Sequence, residues 1–267
     1  MILASAPPLS LILSVLAAAA YAWPAVRTTH LDERGARVWV ALAWLMHGAV
    51  LTITLLGEHP YFGFAPAMSV TAWLVAAVYA VESQIYPQLP TRWTLCVVGA
   101  VAVLAAFFFP GNPMPVTASA WLALHLAFGV ACYGLFGIAV VHAWFMTRAE
   151  ARIRHAEDPH SGLPLLTLER LTYRFVTAGF VLLSATLMAG VLFGESLYGH
   201  GHAWRWDHKT IFSSLAWLTF AILLIGRSTL GWRGKRAVSV LYVGSAFLLL
   251  AYVGSRFVTE ILLGRAL

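Results

Sequence analysis

The chain has 267 residues, of which 60% are apolar and 10% charged, with a formal net charge of +6 and two cysteines. Soluble domains carry about 45–50% apolar and about 25% charged residues, so this composition excludes a soluble enzyme. Disorder, collagen and a disulfide scaffold are excluded as well, because the chain is apolar, its glycines lack a period and its cysteines are too few to staple it.

Apolar runs long enough to cross a bilayer occupy about 3–23, 38–56, 62–81, 93–109, 118–145, 174–194, 210–226 and 237–263. They are continuous rather than alternating, and a helix satisfies its own backbone hydrogen bonds in lipid, so helices are expected rather than barrel strands. The breaks carry turn and charge signals: Pro24 with the stretch Arg27 to Arg37, Glu58-His59-Pro60, Pro87 to Arg92, and Pro110-Gly111-Asn112-Pro113. The longest break, Arg148 to Arg174, opens as an extension of the fifth helix. The expected fold is all-α, a polytopic transmembrane helix bundle of eight spans. It forms a single integral membrane domain over residues 1–267, with an outer tryptophan-rich loop at about 195–209.

The basic residues act first as topology signals rather than as a nucleic-acid surface. Thirteen of the 17 Lys and Arg residues fall in the first, third, fifth and seventh connections, which places those in the cytoplasm and both termini outside it. Ala20-Tyr21-Ala22 looks like a small-residue cleavage site, but no basic residue precedes the first run and the positive cluster follows it, so the span is expected to be retained.

Ionisable groups inside a membrane are costly and point to function. His47 lies near the middle of the second run, His125 in the outer third of the fifth, and His208 at the outer start of the seventh. An imidazole nitrogen is a good axial ligand for haem iron, and a porphyrin is an apolar guest for a helix bundle. The same rings also suit hydrogen bonds between neighbouring helices, and His208 suits a wet interface. His142 lies near the cytoplasmic end of the fifth run, about 25 Å from His125 along the helix, so one iron cannot bind both.

The stretch Tyr198-Gly199-His200-Gly201-His202-Ala203-Trp204-Arg205-Trp206-Asp207-His208-Lys209 is the most unusual in the chain. Indole faces can stack on a porphyrin while Arg205 and Lys209 pair with its propionates. An interfacial aromatic belt with snorkelling cations has the same composition. His200 and His202, completed by His59 or His208, allow a zinc or copper set, though without a cysteine or carboxylate at a familiar spacing. Cys96 and Cys132 read as small buried residues, since neither belongs to a Cys-x-x-Cys pair, and covalent haem attachment is excluded by the lack of Cys-x-x-Cys-His. Gly190 and Gly194 suggest close helix packing, and Arg256 either pairs with Glu260 one turn on or reaches an anionic ligand. No duplicated halves or paired broken helices support a transporter.

Residues 200–209 resemble the tryptophan-rich signature W-G-x-x-W-x-W-D-P-K of the cytochrome c assembly family of haem-handling membrane proteins, the CcsA/CcmC type. His200 stands at the first Trp of that signature and His208 at its Pro. The similarity continues through Trp217 and Phe220-Ala221-Ile222 to Arg227, and Trp121 to His125 followed by Tyr133 is similar to the family's W-x-x-x-H helix. The resemblance implies that His125 is an outer-side haem ligand. Ile225 occupies the position of a transmembrane histidine in the fuller members, and Val258 to Leu267 lacks their final outer histidine. His208-Lys209-Thr210, Gly231-Trp232-Arg233-Gly234 and the segment Tyr252 to Glu260 resemble the shorter YpjD/HemX-like branch.

The resemblance therefore implies a non-covalent haem b on His125, with His208 or His47 as second ligand and Trp204, Trp206, Asp207, Arg205, Lys209 and Arg256 around it. The function so implied is haem handling or presentation for cytochrome maturation at the outer face of a bacterial inner membrane, without chemical transformation of the haem. The partners are haem, the bilayer and a maturation or other membrane protein, with no nucleic acid. The HemX-like branch implies a second role, a membrane accessory or scaffold that influences haem synthesis or another membrane protein without stable haem binding.

Overall fold

A computed structural model describes residues 8–26, 33–57, 60–85, 92–113, 120–154, 164–192 and 207–262. Among these, eight helices follow the eight apolar runs in order: α1 Pro8–Val26, α2 Glu33–Leu56, α3 Phe64–Ile85, α4 Arg92–Phe108, α5 Ala120–Arg154, α6 Leu165–Leu192, α7 His208–Leu230 and α8 Gly234–Leu249. The last continues through π-helical turns at Leu250–Gly254 and Val258–Leu262, which flank Ser255–Phe257. Six helices are long and apolar enough to cross a membrane, while α1 and α4 carry the shorter apolar stretches Ser10–Trp23 and Leu95–Phe108. The chain is a multi-pass helical membrane protein.

Two boundaries differ from the hydropathy pattern for one reason. The helix α5 runs to Arg154 with Arg152 and Arg154 in its last turn, where cations suit the negative end of the helix dipole. The helix α6 begins at Leu165, ahead of the apolar run, because Leu168, Thr172 and Val176 continue its buried stripe while Arg170 and Arg174 take the exposed face. A hydropathy average merges both faces of a helix, and so it ends the fifth run too early and starts the sixth too late.

The chain divides into two compact units, one of Met1–Val81, Pro90–Val116 and Arg256–Leu267, the other of Glu82–Leu89 and Thr117–Ser255. In the first unit, α1, α2 and α4 pack around Ala17, Tyr21, Ala43, Cys96 and Val103. The Tyr21 ring lies over Gly99, where an added Cβ would fall 2.9 Å from it. Between α2 and α3, Trp44 and Trp73 stack with centroids 4.6 Å apart. Each indole N–H donates to the other residue's carbonyl, at 3.1 and 3.0 Å. These two bonds satisfy both indoles where water is scarce. Short strands, β1 Tyr61–Phe62 and β2 Asn112–Pro113, pair antiparallel beside Gly111.

The second unit is an up-and-down bundle of α5 to α8. Met146 meets Thr172 at one end of α5, while His125 meets Gly190 at the other, so α5 and α6 are antiparallel. Arg227 meets Glu169 and Trp217 meets Ser184, so α7 returns along α6 and runs parallel to α5. At the centre, Phe136 of α5 stacks on Phe220 of α7 with centroids 3.8 Å apart. Gly179 of α6 lies against the first ring and Gly244 of α8 against the second, and an added Cβ would stand 3.0 and 2.7 Å from them. Cys132 belongs to this core and Cys96 to the other, both as free thiols, as their spacing suggests.

Candidate functional site

Parallel α5 and α7 bring His125 and His208 to one end of the second unit. Measured along each axis from the stacked Phe136–Phe220 pair, the two histidines stand about 17 and 18 Å away at 1.5 Å per residue, on the same side. They therefore lie at closely similar depth. The His125 ring is half-buried against the main chain of Thr186, and its Cε1 lies 3.8 Å from where a Cβ on Gly190 would stand. Its Nδ1 is buried without a hydrogen-bond partner. A buried, unmet imidazole nitrogen is unusual in a folded protein, since such groups are nearly always satisfied.

His208 is the exposed first residue of α7, and Asp207 before it is the helix N-cap, with extended backbone at φ −87° and ψ 170°. The Asp207 carboxylate accepts the Thr210 backbone N–H at 2.9 Å, and its own carbonyl accepts from Ile211 at 3.0 Å. The Asp207 of the tryptophan-rich segment thus fixes where α7 starts, and with it the positions of His208 and half-buried Lys209. Trp217, three turns on, donates to Ser184 Oγ at 2.8 Å and stacks against Phe180. Trp204, Arg205 and Trp206, with His200 and His202, lie outside the described residues, as do His59 and Gly194. Among the described residues no group of three or more His, Cys, Asp or Glu side chains is placed to hold a metal ion.

The other two intramembrane histidines are engaged. His47 is fully buried in the first unit, with Nδ1 3.3 Å from the Tyr21 hydroxyl and Nε2 2.8 Å from Ser69 Oγ. Both ring nitrogens are taken by α1 and α3, the interhelical arrangement that its position also allowed. His142 is fully buried in the second unit, with Nε2 2.8 Å from Glu82 Oε2. The sequence pattern gave His142 no partner. The available signal was Glu82 itself, a carboxylate at the edge of an apolar run, which has to find a polar group within helical reach. Arg256 is half-buried at the start of the first unit's C-terminal segment, just before the π-helical turn Val258–Leu262, while the Glu260 side chain lies outside the described residues.

The chain is 28% identical over 274 residues to an uncharacterized 28.8 kDa protein of Azospirillum brasilense, covering 96% of this chain and 97% of that protein. It is 26% identical over 255 residues to the cytochrome c biogenesis protein CcsA of Synechococcus sp. (strain CC9902), covering 82% of each. It is also 26% identical over 160 residues to the inner membrane protein YpjD of Escherichia coli (strain K12), covering 59% of each. The match to CcsA of Gloeobacter violaceus, at 33% identity, spans only 27% of that relative's length. No solved structure matches the chain. The family described as cytochrome C assembly protein matches residues 35–263, and the chain therefore belongs to the cytochrome C assembly protein family.

Proposed function

We propose that this protein binds haem b non-covalently at the His125–His208 end of its second unit and presents it for cytochrome maturation. The observation that carries this reading is the buried, unpartnered Nδ1 of His125 beside an exposed His208 at similar depth. An axial ligand needs a nitrogen free of hydrogen bonds and a ring held in place, and helix contacts at Thr186 and Gly190 hold this ring. His208 is preferred to His47 as second ligand, because both His47 nitrogens are within hydrogen-bonding distance of side chains of the first unit. A bis-histidine haem supplies a six-coordinate redox centre whose potential follows from those ligands and their burial. The protein's own part is to orient His125 through α6, to set His208 and Lys209 by the Asp207 cap, and to offer Trp204 and Trp206 for stacking and Arg205 for a propionate. The eight helices span a bacterial inner membrane with both termini and this end outside the cytoplasm, as the distribution of cations supports.

The test is the oxidised and reduced absorbance spectrum of the protein purified in detergent and supplied with haem, beside His125→Ala, His208→Ala and His47→Gln. A Soret band is expected in the parent and in His47→Gln, with loss or a change to five-coordinate character in the other two. A parent protein without a Soret band after haem is supplied would refute haem binding. The similarity to YpjD and the Ile225 position favour, as the second reading, an accessory protein that influences haem synthesis or another membrane protein, and that spectrum is the result it requires.

A further inference from the structure

At the opposite end of the second unit, α6, the end of α7 and the turn after it line an open cavity of about 630 Å³. Four guanidinium groups line it, those of Arg170, Arg174, Arg227 and Arg233, against the single carboxylate of Glu169. Glu169 is buried, and it is ion-paired with both Arg227 and Arg233. Arg170 and Arg174 make no ion pair among the described residues, and they stand one turn apart on the exposed face of α6. Like charges at that spacing repel, so two guanidinium groups without an ion pair among the described residues, at the mouth of a cavity, favour a bound anion.

The wall of the cavity is built rather than incidental. Gly231 closes α7 in the left-handed conformation, at φ 63°, and the Trp232 N–H then donates to the Gly226 carbonyl at 3.0 Å. This folds the Trp232 ring onto Gly226, where an added Cβ would fall 2.5 Å from the indole. The same turn aims the Trp232 carbonyl at the Tyr173 hydroxyl, which donates to it at 3.2 Å, and Arg227 lies over the Tyr173 ring at 4.8 Å. Arg227 is thereby held by a buried carboxylate, a ring face and a backbone turn. Beyond the arginines, the exposed face of α6 turns apolar at Ala178 and Val181, about 6 and 10 Å from Arg174 along the axis.

We propose that this cavity binds a phosphate ester, and that the ligand is the headgroup of an acidic phospholipid whose acyl chains lie along the apolar face of α6. Arginines at a helix end, followed on the same face by apolar residues, match the order of phosphate and hydrocarbon in a leaflet, and free phosphate would leave that face unused. Basic pockets between membrane helices suit such headgroups because planar guanidinium groups pair with phosphate oxygens in a forked geometry. The proposal is independent of haem binding, since no residue is shared with that site.

The experiment follows the thermal unfolding midpoint of the full-length protein in a neutral detergent. Short-chain phosphatidylglycerol, short-chain phosphatidylcholine and inorganic phosphate are titrated separately into the parent, Arg170→Gln/Arg174→Gln, and a charge-matched control, Arg154→Gln/Lys235→Gln. A saturable rise with phosphatidylglycerol and none with phosphatidylcholine is expected in the parent and the control. The Arg170→Gln/Arg174→Gln protein is expected to need at least about tenfold more lipid for half the rise. If inorganic phosphate gives the same rise and loses it in that variant, the lipid assignment is overturned in favour of free phosphate. Equal responses in the two double variants, or no rise with any probe, would overturn the site itself.

Discussion

The His142–Glu82 pair offers a direct measure of what buried polar contacts do in this protein. It forms one hydrogen bond of 2.8 Å, yet Glu82 Oε1 and His142 Nδ1 are both buried without a partner. Each unmet buried polar atom costs about 1–3 kcal/mol, while one hydrogen bond involving a charged group contributes about 1.5–3 kcal/mol. The pair taken as a unit is therefore close to neutral. Removing one member is different, because it strands the other in a low-dielectric interior at a cost of about 3–5 kcal/mol. His142→Leu is accordingly expected to destabilise by about 3 kcal/mol or more, and Glu82→Leu/His142→Leu to lie within about 1 kcal/mol of the parent. The resulting coupling is about 5 kcal/mol or more by a double-mutant cycle. The assay is reversible denaturant unfolding in mixed micelles, followed by tryptophan fluorescence for the parent, both single variants and the double. Additive single effects, or a His142→Leu cost below about 1 kcal/mol, would refute the reasoning.

Two further outcomes follow from the packing and the cap. Gly244→Ala pushes a methyl to within 2.7 Å of the Phe220 ring, which cannot retreat because Phe136 is stacked behind it and Gly179 behind that, so a loss of about 1–3 kcal/mol is expected in the same unfolding assay. Gly190→Ala, whose methyl meets His125 at an ordinary 3.8 Å, is the control and is expected to change stability little. Asp207→Ala is expected to cost about 1 kcal/mol through loss of the α7 cap, with Asp207→Asn within a few tenths of the parent. If Asn proves as damaging as Ala, the carboxylate has a use beyond accepting the Thr210 N–H.

Much of the candidate site was legible in the sequence because its signals are local. The segment from His200 to Lys209 announces itself by composition and order, and the Asp207 that ends it is a residue type suited to begin a helix. The partner of His142 was not legible, since Glu82 lies 60 residues away and meets it only in the folded second unit. The arginine cavity was hidden for a related reason. Arg170, Arg174, Arg227 and Arg233 each count as a topology signal in one dimension, and only the α7–α8 turn brings the last two against the first.

The sequence by itself determined that this is a membrane protein, the number and order of its apolar helices and its kinship, because apolar length and a contiguous motif survive without knowledge of neighbours. The tertiary structure alone decided which histidines are tied to the side chains of neighbouring helices and which are not. His47, His125 and His142 are alike as intramembrane imidazoles, and what separates them is whether Tyr21 and Ser69, Glu82, or no polar side chain among the described residues stands within hydrogen-bonding distance. That depends on how each helix is turned about its axis, which spacing along the chain does not specify.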